Sequence, residues 1–232
     1  MAEGRYQCAC SLLDGLDRFG GIGTVLVADQ TGLALLQALL RGYLMRLILA
    51  SSSPRRRTLL SLLVTDFAVA HPSTDESQTP HEQPERYVTR LAIKKAQACA
   101  EQGCAMIGAD TAVTLGAVIL GKPENPEEAR ETLRMLSGQT HQVQTAVAVI
   151  YNDVVHSAIS TTLVTFAQLT DDTIEQYLLS DEPYDKAGAY GIQGYAGAFV
   201  RHIKGSYSAV VGLPLAETRE LLLMAGIAVR HG

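Results

Sequence analysis

A chain of 232 residues, 47% hydrophobic and 19% charged, carries enough apolar material for a sizeable globular core. Its net charge of −5 gives no support to a nucleic acid or an anionic membrane as partner, because both call for a basic surplus. Any anionic ligand must therefore be held by local basic groups. Cys8, Cys10, Cys99 and Cys104 are too few for a disulfide scaffold and lack zinc-site spacing, which makes the cytoplasm the expected compartment.

No apolar run reaches the roughly 18 residues of a membrane span. The nearest, Thr31 to Ala50, is broken by Gln37, Arg41 and Arg46. The first residues, with Glu3 and Arg5, do not have the layout of a signal peptide. Residues 1–44 read differently from the rest, with Cys-Ala-Cys, Gly-Gly-Ile-Gly and an unpunctuated run from Leu33 to Leu44. They are expected to be a non-conserved or poorly ordered N-terminal extension, with the functional domain spanning 45–232.

From Met45 strand and helix signals alternate. Arg46 to Ala50 reads as a short buried strand. Ser51-Ser52-Ser53-Pro54 supplies capping hydroxyls and a first-turn proline, which predicts a helix from Arg55 to Leu63. Pro84 to Cys99 reads as a longer amphipathic helix, Ala105 to Ala109 as a buried strand that ends at Asp110. Asn125-Pro126-Glu127-Glu128 caps a helix with Ala129, Leu133 and Leu136 on one face. His141 to Ile150 and Thr161 to Leu169 predict two long strands, a hairpin around Asn152-Asp153. Thr170 caps a helix to about Leu179, and a Gly-rich loop runs from Lys186 to Gly197. A strand from Ala198 to Ile203 and a helix from Pro214 to Ala225, closed by Gly226, complete the chain. The fold class expected is α/β, a mixed sheet with flanking helices.

Several segments can carry chemistry. Ser51 to Arg56 follows a strand and opens a helix, a place where backbone N–H groups, hydroxyls and guanidinium groups can meet a polyphosphate. The plainer alternative is a capped surface helix with solvated arginines. No Walker A pattern is present. Lys95 falls on the apolar stripe of Val88, Leu91, Ala92 and Cys99, so it needs an anionic partner or must snorkel; Lys94 lies off the stripe and is the expected solvated neighbour. Gly108-Ala109-Asp110-Thr111 presents a carboxylate at a strand end, suited to a cation or to general-base work, or simply to a turn. Ala112 stands where a haloacid-dehalogenase phosphatase would want a second Asp.

Gly121-Lys122-Pro123 and Asp75-Glu76 read as ordinary solvated loops by default. Asp185 to Gly194 has the small residues that let a ligand approach backbone closely, and Gln193 can donate and accept together, as the edge of a pyrimidine requires. His141 is expected to be a satisfied structural histidine.

In order along 45–226, Leu-Ala-Ser-Ser-Ser-Pro-Arg-Arg (49–56), Asp75-Glu76, Arg90-Leu91-Ala92 with Lys95-Ala96, Gly108 to Thr111, Gly121-Lys122-Pro123, Leu136 to His141 and Asp185 to Gly194 resemble the Maf family. The resemblance implies a two-lobed α/β fold with a nucleotide cleft, similar to the ITPase-like folds, and usually a homodimer. It also implies hydrolysis of nucleoside triphosphates to the monophosphate and pyrophosphate with a divalent cation, Mg²⁺ or Mn²⁺. By position, Asp110 matches the family's proton acceptor. Arg56, Lys95 and Lys122 match basic cleft residues, Ser53 a polar one, and Glu76 with Asp110 the acidic positions assigned to metal. Arg55, Thr111 and Gln193 match the positions that divide the family by substrate, and look like the dTTP/UTP branch. A 7-methyl-GTP or modified-nucleotide pyrophosphatase and a non-catalytic regulator of septum formation are the alternatives.

Overall fold

A computed structural model describes residues 45–230, which form one mixed seven-stranded sheet flanked by helices. The expectations for residues 1–44 lie outside the described residues. Strand order is β2-β1-β3-β5-β6-β7, with β4 also paired to β3. The strands are β1 (Arg46–Ala50), β2 (Ala68–Ala70), β3 (Cys104–Leu115), β4 (Val118–Leu120), β5 (Thr140–Tyr151), β6 (Val154–Phe166) and β7 (Val200–Lys204). The helices are α1 (Pro54–Leu60), α2 (Pro84–Ala98), α3 (Pro126–Leu136), α4 (Asp171–Leu178), α5 (Tyr207–Val211) and α6 (Leu215–Met224). Among the described residues no helix is long and apolar enough to cross a membrane.

Strand β3 organises the molecule. Its one edge is taken by β5 from Met106 to Thr114. The other edge is shared: β1 runs parallel to it and ends at Ala50 opposite Gly108, while β4 returns antiparallel and ends at Leu120 opposite Val113. Residues 109–112 therefore lie between the two partners, and the chain leaves both β1 and β4 at that gap. Asp110 is thus not at a strand end, as the sequence suggested, but in mid-strand. Gly and Asp are poor strand formers, and pairing with three neighbouring strands overrides that local preference.

Helix α2 covers one face of the sheet, packing Val88, Ala92 and Ala96 against Met106, Ala112, Ala146 and Ala148. The approach is close because position 108 has no side chain: a Cβ there would sit 2.2 Å from the Ala92 carbonyl oxygen. Two apolar clusters share the opposite face. Leu59, Leu60, Leu221 and Leu222 pack on Ala105, Ile107, Ala109, Val147 and Val149. Beyond Thr111, Val113, Val143 and Val164 support Leu133, Ile174, Tyr177, Tyr190 and Phe199. These clusters are the two lobes.

Other boundaries move in informative ways. Helix α1 stops at Leu60, three residues short of expectation. The hairpin turn is at Asn152-Asp153, both left-handed (φ 48° and 62°), the two-residue geometry that matches strand twist. Strand β6, however, begins at Val154 and not Thr161, because its first half alternates exposed and half-buried side chains and lacks the apolar density of a core strand. A short 3₁₀ turn, Tyr195–Phe199, replaces the first residues of the expected last strand. Ser206 caps α5, a helix absent from the sequence reading; its hydroxyl accepts the Ala209 N–H at 3.2 Å.

Candidate active site

A cleft of about 780 Å³ opens at the β3 gap. Every residue that the family resemblance assigned to the site lines it: Ser53, Arg55, Arg56, Glu76, Lys95, Asp110, Thr111, Lys122 and Gln193. A shallower groove of 710 Å³ along the outer face of α2, around Arg86 and Ile93, holds none of them.

At the floor, the close seating of α2 on Gly108 brings Lys95 to Asp110. The Lys95 ammonium donates to Asp110 Oδ1 at 2.6 Å and pairs with Glu76 Oε1 at 2.9 Å. Lys95 is 7% exposed and Asp110 6%, so the stripe lysine has found its anions in the core instead of snorkelling. Burial pushes the Asp110 carboxyl up, against the pull of Lys95 and Arg56. Burial also pushes Glu76 up, but Lys95, Lys122 and Arg56 outweigh it and leave that carboxyl below its ordinary value. A pair of nearby carboxyls is thereby split, one easier to protonate and one firmly ionised, which is the arrangement acid–base chemistry uses.

The Ser51 to Arg56 turn supplies the positive wall. Ser51 Oγ accepts the Ser53 N–H at 3.2 Å, and Ser53 Oγ caps α1 through the Arg56 N–H at 3.4 Å. The helix behind it has only seven residues, so its dipole is small and the side chains carry the charge. Arg56 Nε donates to the Gly212 carbonyl at 2.8 Å and Nη2 to Thr111 Oγ1 at 3.2 Å. Thr111 in turn shares a hydrogen bond with Thr145 at 3.0 Å. Arg56 is thus held rigidly in the space between the lobes, where burial pushes its guanidinium down without discharging it. Arg55 reaches across the mouth to Asp185 at 3.3 Å. Lys122, exposed on the turn that leaves β4, faces Glu76 from the opposite rim.

The sequence reading missed what holds Glu76. Three side chains of α2 take three successive carbonyls of its loop: Lys94 donates to Asp75 O at 2.9 Å, Tyr87 to Glu76 O at 3.0 Å, and Arg90 to Ser77 O at 3.1 Å. Arg90 is itself fixed by a bidentate pair with Glu82, both contacts at 2.6 Å, which holds the Glu82 carboxyl down at about 2. Lys94 therefore has a partner, and the Asp75-Glu76 loop, exposed as expected, is tied down through its main chain. The one available signal was Tyr87, two helical turns before Lys95 and so on the same face. His141 is 1% exposed and bonds Tyr190 Oη at 2.8 Å, but its Nδ1 has no partner among the described residues. Burial pushes its pKa down to about 4.

A buried acid, a lysine and two arginines around a nucleotide-sized space define a polyanion-binding cleft equipped for proton transfer. A family model described as Maf-like protein matches residues 46–225, and the chain belongs to that family. A dTTP/UTP pyrophosphatase of Pseudoalteromonas atlantica is 52% identical over 189 residues, covering 78% of this chain and 98% of that protein. A dTTP/UTP pyrophosphatase of Escherichia coli K12 is 51% identical over 179 residues, covering 76% and 91%.

Proposed function

We propose that this chain hydrolyses dTTP and UTP to the nucleoside monophosphate and pyrophosphate. The observation that carries the reading is the Lys95–Asp110 pair, buried at the floor of a cleft whose rims hold Arg55, Arg56 and Lys122. The family membership and the two relatives agree with it.

Phosphoanhydride hydrolysis depends chiefly on positioning and on neutralising charge that moves to the leaving group. Arg56, Lys95 and Lys122 take phosphate oxygens. Asp110 orients the water and accepts its proton as oxygen attacks the α-phosphorus and the bond to the bridging oxygen breaks, releasing pyrophosphate. Lys95 keeps Asp110 ionised in a buried site that would otherwise protonate it. Ser53 adds a hydroxyl at the phosphate rim. Gln193 pairs with the O4 and N3–H edge shared by uracil and thymine, and Arg55 and Thr111 line the path between base and phosphates.

Glu76 and Asp110 also fit a divalent cation. Magnesium is commonly held by one or two carboxylates together with substrate phosphates, and among the described residues no larger set of His, Cys, Asp or Glu forms a preformed cage. Mg²⁺ or Mn²⁺ bound there would polarise phosphate oxygens as a Lewis acid. The reading includes a homodimer and a cytoplasmic location.

The test is pyrophosphate release from dTTP, UTP, CTP, GTP, 7-methyl-GTP and ATP. Turnover led by dTTP and UTP supports the reading. Turnover led by 7-methyl-GTP overturns the branch, and binding without turnover points to a regulator.

A further inference from the structure

The loop that carries Gln193 is built around a carboxylate that no part of the reaction uses. Glu182 follows α4, and its Oε2 accepts the Tyr195 N–H at 2.9 Å. Oε1 accepts the Tyr177 hydroxyl at 3.1 Å and lies 3.4 Å from the Ala196 nitrogen. Its main-chain carbonyl accepts from the Lys186 ammonium at 2.7 Å. The chain closes against this group where it has no side chains. A Cβ on Gly194 would sit 2.3 Å from Glu182 Oε2, and one on Gly191 would sit 2.7 Å from Lys186 Cε. The Gly194 N–H meets the Gly191 carbonyl at 3.0 Å, so residues 191–194 form a single tight turn with Gln193 at its third position. Gln193 itself is exposed and lines the cleft.

The direction in which Gln193 points is therefore set by the turn, and the turn by the carboxylate inside it. Charge-assisted bonds to backbone N–H groups are short, strong and directional. We infer that Glu182, which also borders the cleft, is the positioning residue for nucleobase selection: it templates the 191–196 turn so that Gln193 meets a pyrimidine edge. This rests on the reading of Gln193 given under Proposed function. A glutamine at 182 has one acceptor oxygen where the turn needs two, and sets an NH₂ against a donor.

The experiment compares Glu182→Gln and Tyr177→Phe with the unmodified enzyme, reading kcat and KM for dTTP, UTP and GTP. Inhibition by tripolyphosphate, which has the phosphates and no base, is measured alongside. Loss of binding shared by ground and transition states raises KM and spares kcat. For Glu182→Gln, KM for dTTP and UTP should rise about tenfold and preference over GTP fall in step, with kcat and tripolyphosphate inhibition held. Tyr177→Phe, which removes a single hydroxyl, should move the same ratios about threefold and keeps the question open to measurement if the first variant misfolds. Unchanged KM and preference in the folded variants would sink the inference. So would parallel losses in kcat and tripolyphosphate inhibition, which mark general damage to the cleft. Calorimetric titration with dTMP and GMP reads the same preference without turnover, so an unmodified enzyme with no pyrophosphatase activity would overturn the earlier reading while the titration still decided this one.

Discussion

The two walls of the cleft are built on different principles. On the side proposed to take the phosphates, Arg56, Lys95 and Asp110 hang from α1, α2 and β3, and each is fixed by groups from other elements. On the side proposed to read the base, Gln193 stands exposed on a glycine turn held by Glu182. A rigid electrostatic wall suits the step that sets rate, since its dipoles need no reorganisation as charge moves. A small loop on a fixed scaffold suits the choice of ligand, because it can be altered without disturbing the core.

The hardest blow to the phosphate wall is Asp110→Asn. Turnover of dTTP should fall by about a thousandfold with the melting temperature little changed, as judged by pyrophosphate release and circular dichroism. Acid should strike the base side instead. With a folded pKa near 4, below the ordinary 6.5, the His141 imidazole is neutral beside Tyr190 and Phe166. Stability is complete above pH 6.5 and is lost as pH falls toward 4, by roughly 3 kcal/mol at most. Urea denaturation at pH 7 and pH 4.5 measures the loss, and His141→Gln should flatten it.

Gly108→Ala sharpens the comparison from within the fold. Its methyl must push α2 outward, at a cost of about 2 kcal/mol, and should part Lys95 from Asp110 so that kcat falls while base preference holds. Gln193→Ala should do the reverse, raising KM for dTTP about tenfold and leaving kcat nearly intact. The mildest change, Tyr87→Phe, frees one carbonyl of the Glu76 loop. It should raise the Mn²⁺ concentration for half-maximal activity about threefold, checked by direct Mn²⁺ titration of the free enzyme; an unchanged titration would show that the loop holds Glu76 without it.

Much of this was legible in the chain because the informative signals are local. Caps at Ser53, Asn125 and Thr170 are side chains bonding within three residues, and the structure keeps each. The ordered motifs brought all nine predicted site residues into view before any geometry was known. What escaped depends on distant partners. Strand β3 continues through Asp110 only because β4 and β5 supply its ladder, and β6 extends to Val154 because β5 pairs with it that far. The hold on Glu76 consists of α2 side chains reaching main-chain carbonyls, which carry no residue identity. Glu182 carries no signal in the sequence, since its partners are the Tyr177 hydroxyl and backbone N–H groups beyond Gln193.

The Arg55–Asp185 pair, which joins the two walls across the mouth, gives the enzyme a resident competitor. On the reading proposed for Arg55, an arriving ligand must out-bid one carboxylate for that guanidinium. A triphosphate brings far more charge than a monophosphate, so the same internal anion that yields to substrate is better able to reclaim Arg55 from the product. On the proposed reading, this pair biases entry and exit in opposite senses, and removing Asp185 should trade faster capture for slower discharge.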